Sequence, residues 1–114
     1  PQTIELQVGR AADVLKALPQ DFEAFDLIFI DADKQSYSEY LELSLNLSHS
    51  GTIIVLDNVV RAGEIINSTN QKPSIEGIRD MFVALKNHPK ILSCTALQTV
   101  GSKGHDGFAL VLVK

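Results

Sequence analysis

The sequence predicts an α/β fold built on a mostly parallel sheet that finishes in an antiparallel hairpin. Short, continuously apolar runs alternate with stretches of helical periodicity, the pattern of strands buried beneath crossover helices. Two of those runs, Phe25 to Ile30 and Thr52 to Leu56, each stop abruptly at an acid, Asp31 and Asp57. Near the end, two β-prone runs flank the turn-rich segment Gly101-Ser102-Lys103-Gly104-His105-Asp106-Gly107, which reads as a hairpin.

Taken in order, Thr3 to Val8 alternates apolar Ile4, Leu6 and Val8 with polar neighbours until Gly9 breaks the run, as a strand would. From Ala11 to Leu18, the residues Val14, Leu15 and Leu18 share a helical face, and Pro19 stops it. Phe25 to Ile30 is the next strand. Tyr37, Tyr40, Leu41, Leu45 and Leu47 then recur near helical spacing, with Ser50-Gly51 closing the helix before the Thr52 to Leu56 strand. Val59 to Pro73 has no sustained period and is long enough to be functional, for instance as a lid. Ser74 is placed to cap a helix carrying Ile75, Ile78, Phe82 and Leu85 inward and ending near Asn87-His88-Pro89. Ile91 to Val100 and Phe108 to Val113 complete the chain as the hairpin strands. Helices are expected on both faces of the sheet, with right-handed crossovers.

A chain of 114 residues has room for one small domain, spanning 1–114, but is short for an enzyme that must enclose both a nucleotide cofactor and a substrate. Pro1 in place of a methionine points the same way, toward a fragment. With 45% hydrophobic and 21% charged residues, the composition is that of a folded, water-soluble protein. The net charge of −4 offers no basic field for nucleic acid or anionic lipid. The single Cys94 excludes an internal disulfide and a cysteine-built zinc site; in its apolar run it reads as a small core residue, and it fits a reducing cytoplasm. No stretch is apolar and long enough to span a bilayer, and no signal pattern is present at the amino terminus. The Asn-x-Ser/Thr matches at Asn46 and Asn67 are therefore expected to be accidental.

In α/β sheets of this kind ligands gather at the carboxyl ends of the strands. Asp31 and the pair Asp57-Asn58 fall there, on strands expected to be neighbours about 4.8 Å apart. Two carboxylates and an amide oxygen suit a hard cation such as Mg2+, which takes oxygen ligands and keeps open positions. Lys34 follows Asp31 by three residues. Beside a cation its pKa would be pushed down, and a neutral lysine can act as a base. Each residue also has a structural reading, since an aspartate ending a strand often caps the next helix and Asp-Asn is common in turns. The site reading rests on their combination. His49 and His88 fall at helix ends and His105 in the hairpin turn, so exposed structural roles are expected for all three.

Three segments together resemble a known family. Phe29-Ile-Asp-Ala-Asp-Lys-Gln-Ser-Tyr-Ser-Glu-Tyr40, Gly51-Thr-Ile-Ile-Val-Leu-Asp-Asn-Val59 and Asp106-Gly-Phe108 are similar to the cation-dependent catechol and caffeoyl-CoA O-methyltransferases, and the likeness runs through nearly the whole chain. The resemblance implies a partial Rossmann-like sheet of the class that uses S-adenosylmethionine (SAM). It implies Asp31, Asp57 and Asn58 as ligands of a divalent cation, Asp31 also lying close to the cofactor, and Lys34 as general base or its electrostatic equivalent. Gly9, Arg10 and Ala11 match the loop that borders the cofactor's adenine, with Arg10 standing where a small residue or proline is usual. Tyr37 and Tyr40 match family positions too, yet their helical spacing favours packing, and they are left out of the site. The implied reaction is methyl transfer from SAM to a hydroxyl of a catechol-like small molecule. Some relatives instead methylate hydroxylated uridine in tRNA, and a degenerate domain that binds a metal or a partner without catalysis is the alternative of a different class.

The family opens with a strand, a glycine-rich turn and a helix, then a second strand ending in an acid that holds the ribose, and neither is found here. Gly101-x-x-Gly104-x-x-Gly107 does not replace them, because it joins two strands and precedes no helix. In the family strand order 3-2-1-4-5-7-6, this chain would hold strands 3 to 7 and lack the two that lie between 3 and 4. The first strand would then pair with a new neighbour, detach, or pair with another chain. A rearranged edge or a homodimer is expected, and a chain inactive alone.

Overall fold

The computed structural model describes residues 3–19 and 21–114. Helix α1 (Ala11–Lys16) precedes strand β1 (Phe25–Ile30), and a 3-10 turn (Lys34–Ser36) leads directly into α2 (Tyr37–Asn46). Strand β2 (Ser48–Asp57), a 3-10 segment (Arg61–Ile66) and α3 (Pro73–Leu85) follow, then the hairpin of β3 (Ile91–Gly101) and β4 (Gly104–Val113). The strand order is β1-β2-β4-β3. β1 and β2 run parallel, with Ile30 opposite Leu56, while β4 is antiparallel to both β2 and β3. The sheet is thus mixed, with less parallel character than the sequence predicts.

The period-two alternation of β2 and β4 decides which side is buried. Ile54, Leu56, Ala109, Val111 and Val113 form one face, and Tyr37, Leu41 and Leu45 of α2 with Ile78, Met81 and Leu85 of α3 pack into the same core. Fully burying a residue such as Leu41, Ile54 or Met81 contributes about 1.5–3 kcal/mol each. The opposite face is bare. Leu27 and Phe29 on β1 are each 62% exposed, and Ile53 on β2 and Leu97 on β3 lie exposed beside them. The expectation of helices on both faces is therefore corrected: this is a two-layer structure.

Several further expectations change. Thr3 to Val8 forms no strand; it leaves the outer edge of β1 unpaired, and Ile4, Leu6 and Val8 stand exposed. Alternation gives a segment the capacity for a strand, but only a neighbour supplies the ladder. This is the detached outcome among those anticipated. β2 begins at Ser48, four residues before Thr52, because Ser48 pairs with Phe25 and the Thr52 hydroxyl donates to the Phe25 carbonyl at 2.6 Å. Lys72, not Ser74, occupies the cap of α3, since Pro73 has the fixed φ that suits the first helical position. Cys94 is exposed on β3, at the edge of the sheet beyond the helices, and is not a core residue. His49 and His105 are exposed as expected, whereas His88 is half-buried and paired with Glu42 at 2.9 Å.

The Val59 to Pro73 segment is anchored rather than free to swing. All five N–H groups of Arg79 on α3 are engaged: Nε with the Ile65 carbonyl at 2.8 Å, Nη1 with the Asn70 carbonyl at 2.7 Å and with Glu76, and Nη2 with the Asn67 and Glu64 carbonyls at 2.7 and 3.2 Å. Four carbonyls of one loop converge on one guanidinium, so the segment is a fixed wall of the molecule.

Candidate functional site

Parallel pairing of β1 and β2 in register sends Asp31 and Asp57 out of the sheet side by side at its carboxyl end. After β1 the chain turns through Ala32 and Asp33 into the 3-10 turn, which begins with Lys34. That turn tucks the Lys34 side chain back under the strand ends, where it is 9% exposed, while the Asp31 side chain remains 52% exposed.

A buried ammonium needs hydrogen-bond acceptors, and two of the three N–H groups of Lys34 have them. Its Nζ donates to Asp31 Oδ1 at 2.9 Å and to the Tyr37 hydroxyl at 2.6 Å. The Tyr37 hydroxyl donates onward to the carbonyl of Asp57 at 2.6 Å. One continuous chain of hydrogen bonds thus ties the end of β1 to the end of β2 through Lys34 and Tyr37. Burial alone would depress the Lys34 pKa, but the bonds to Tyr37 and Asp31 outweigh it and hold the ammonium above the ordinary lysine value. The depression expected beside a cation concerns the cation-bound site; here the nearest charge is the Asp31 carboxylate. Burial raises the Tyr37 phenol in turn, against the pull of the Lys34 charge. One turn along, the Tyr40 hydroxyl donates to Asp33, which pushes that phenol up to about 12.

Asp57 and Asn58 end β2. Asp57 Oδ1 accepts the Asn58 backbone N–H at 2.8 Å, and Asn58 adopts a left-handed φ of 58° that swings its side chain back toward the hairpin. Asn58 Nδ2 donates to Asp106 Oδ2 at 3.3 Å. Asp31 Oδ2, Asp57 Oδ2 and Asn58 Oδ1 accept no hydrogen bond from the described residues. Two half-engaged carboxylates and an amide oxygen are the donor set a hard cation takes, so the residues fit such an ion. Among the described residues, no three His, Cys, Asp or Glu side chains gather as a metal centre. A cation here would rely on the amide.

Gly9 and Ala11 border a groove of about 320 Å³ along the free edge of β1, and Asp31 lies at its wall together with Phe29 and Tyr40. The structure therefore groups Gly9, Ala11 and Asp31, whereas the exposed Arg10 sits at the cap of α1 outside the groove lining. Lys34, Asp57 and Asn58 lie around the strand ends.

The helical spacing of Tyr37 predicts a packing role. It does pack, fully buried, but its hydroxyl is also part of the site. Its position three residues after Lys34, one helical turn on, is the signal that could have found it. Gly77 carries no signal in the sequence. A Cβ there would lie 2.4 Å from the Lys34 carbonyl and 2.5 Å from Gln35 Cα, so only glycine lets α3 press against the turn that carries Lys34.

The sequence profile of the O-methyltransferase family matches residues 1–113. A catechol O-methyltransferase from Niastella koreensis is 41% identical over 112 residues, covering 97% of this chain and 50% of that protein. Among solved structures, an O-methyltransferase from Bacillus cereus in complex with SAH superposes with a TM-score of 0.90 at 49% identity, covering 96% of this chain and 50% of that one. A Streptomyces achromogenes O-methyltransferase involved in tomaymycin synthesis, in complex with SAM, gives 0.87 at 37% identity, covering 93% and 48%. The chain spans about half the length of these relatives.

Proposed function

The chain belongs to the O-methyltransferase family, and from that membership we propose that it supplies the cation-binding and proton-handling half of an enzyme that methylates a hydroxyl of a catechol-like small molecule. The observation that carries the reading is Lys34, a buried ammonium fixed between Asp31 and Tyr37 beside the ends of two parallel strands.

When bound, SAM supplies an electrophilic methyl on a sulfonium, and a divalent cation, Mg2+ by the oxygen donor set, supplies charge that acidifies a chelated hydroxyl. A free phenol, with a pKa of about 10 by analogy with tyrosine, is a poor nucleophile until its proton leaves. Asp31, Asp57 and Asn58 would hold the ion. Lys34, once it had given up its own proton, would take the hydroxyl proton or, staying charged, would stabilise the phenolate. Gly9, Arg10, Ala11 and the groove edge at Asp31 serve the cofactor.

The groove runs along an unpaired strand edge, and the chain spans half of its relatives' length. These support the reading that this chain is a carboxy-terminal portion, inactive alone, whose bare face favours self-association as a homodimer until it is covered. The relatives' names and the net charge of −4 support a small-molecule acceptor over tRNA. No helix among the described residues is long and apolar enough to cross a membrane. The unpaired Cys94 supports a reducing compartment such as the cytoplasm.

Titration calorimetry of SAM, with and without Mg2+, tests this on two proteins: this chain, and a chimera that joins it to the amino-terminal half of the Bacillus cereus relative. Binding to the chimera only is the expected result. Binding to neither would favour a degenerate, non-catalytic domain, and tight binding to this chain alone would overturn the half-site reading.

A further inference from the structure

Asp106 takes no part in the chemistry above, yet its carboxylate is the most heavily engaged among the described residues. Its Oδ1 accepts the backbone N–H groups of Gly107, Arg61 and Val60 at 2.9, 3.0 and 3.2 Å, and its Oδ2 accepts Asn58 Nδ2 at 3.3 Å. The segment it gathers is conformationally costly: Asn58, Arg61 and Ala62 all have left-handed φ values, between 54° and 58°. Val59 N–H adds a bond to the Gly107 carbonyl at 3.0 Å. A Cβ on Gly107 would meet the Leu97 carbonyl at 2.3 Å and Val60 Cγ2 at 2.6 Å, so the hairpin and this segment are fitted closely together.

An ionised carboxylate only accepts hydrogen bonds, whereas an amide has a donating end and an accepting end. The contact with Asp106 therefore draws the Asn58 amino group toward β4 and turns its carbonyl oxygen away, free to face Asp57 and Asp31. We propose that Asp106 is a positioning residue that fixes which end of the Asn58 amide is presented to a divalent cation. This rests on the reading of Asn58 as a ligand. The assignment concerns orientation, beyond the holding of the loop.

Asp106→Asn separates the two roles. Its one oxygen stays with the three backbone donors, and its new amino group then confronts that of Asn58. The Asn58 amide turns over, and its amino group faces the cation. Combining Asp106→Asn with Asn58→Asp restores a donor on one side and an oxygen facing the cation on the other.

The probe is Mn2+, with the unbound ion followed by electron paramagnetic resonance in this chain and hydrogen exchange at Val60 and Arg61 reporting the loop. Asp106→Asn is expected to weaken Mn2+ binding by about 10–100-fold, as outer partners of metal ligands do. The double variant is expected to bind at least as tightly as the wild type and more tightly than Asn58→Asp alone, in which two carboxylates confront each other; a merely structural role for Asp106 would give the reverse order. If Asp106→Asn binds Mn2+ as the wild type does while Asn58→Ala binds weakly, the positioning role is wrong and the ligand reading stands. A double variant that binds no better than Asn58→Asp alone likewise overturns it, whatever the exchange rates. If the wild type takes up no Mn2+, or Asp57→Ala and Asn58→Ala leave uptake unchanged, the ligand reading itself is wrong and this inference goes with it.

Discussion

Lys34 Nζ and the Tyr37 hydroxyl lie 2.6 Å apart, and the same hydroxyl donates to the Asp57 carbonyl. The phenol is therefore both the second anchor of the buried ammonium and a rivet between the strand ends. Tyr37→Phe removes both bonds at little change in volume. Unfolding in urea is expected to show a loss of about 1–3 kcal/mol, the range for hydrogen bonds involving a charged group and a buried carbonyl left unpaired. The Lys34 pKa falls, because the Tyr37 hydrogen bond is one of the interactions that raise it; side-chain NMR titration reads this directly.

Gly77→Ala sets helix propensity against packing. Alanine is better than glycine inside a helix by about 1 kcal/mol. The added carbon would meet backbone atoms of Lys34 and Gln35, which cannot rotate aside as a side-chain tip can. Overpacking of about 1–3 kcal/mol or more wins, and a net loss of stability is expected in thermal denaturation. The Lys34 and Tyr37 resonances shift with it; an unmoved spectrum would show that α3 yields without disturbing the site.

Arg79→Lys keeps the charge but loses the fork that reaches four loop carbonyls at once. A loss of about 2 kcal/mol or more is expected, the order of one or two charge-assisted hydrogen bonds. Amide exchange should accelerate between Glu64 and Asn70 while the sheet stays protected. Unchanged exchange there would mean that the loop holds itself.

His49 supplies a pH dependence away from the site. Its Nδ1 lies 2.7 Å from the Ser50 carbonyl and its Nε2 lies 2.7 Å from Asp26 Oδ1, and these raise its pKa above the ordinary 6.5, the Ser50 contact first. The folded state thus holds the proton more tightly than the unfolded chain. The resulting stabilisation is fully present below pH 6.5 and fades as pH rises through the raised folded value. Asp26→Asn lowers the folded pKa toward the ordinary value and flattens that slope. Proton NMR titration of His49 in both proteins checks the sign.

The strands that carry the site were legible because each is a continuous apolar run that stops at an acid, although only one face of the sheet is covered by helices here. Phe25–Ile30 and the core of Ser48–Asp57 met that rule, and Asp31, Asp57 and Asn58 were located by it. Ser48 to Gly51 was missed because its polar residues and glycine read locally as a turn, whereas pairing to Phe25 draws them into the strand. Thr3 to Val8 erred the other way, since strand pattern is local but strand pairing is tertiary. Gly77, Arg79 and Asp106 act on Lys34, on the loop after β2 and on Asn58, each across tens of residues of sequence or from another element. No periodicity marks such residues.

The one-sided sheet gives the whole domain a polarity of its own. One surface carries Leu27, Phe29, Ile53 and Leu97 toward water, while the helices opposite present Glu39, Glu42, Glu76 and Asp80. A body wetted on one side and oily on the other collects at boundaries between water and air or oil, because apolar area leaving water there gains about 25 cal/mol per Å². The chain should behave as a folded surfactant, forming interfacial films and lowering surface tension in a pendant drop, and a Phe29→Lys change in the middle of the oily side should abolish much of that activity while leaving the buried core untouched.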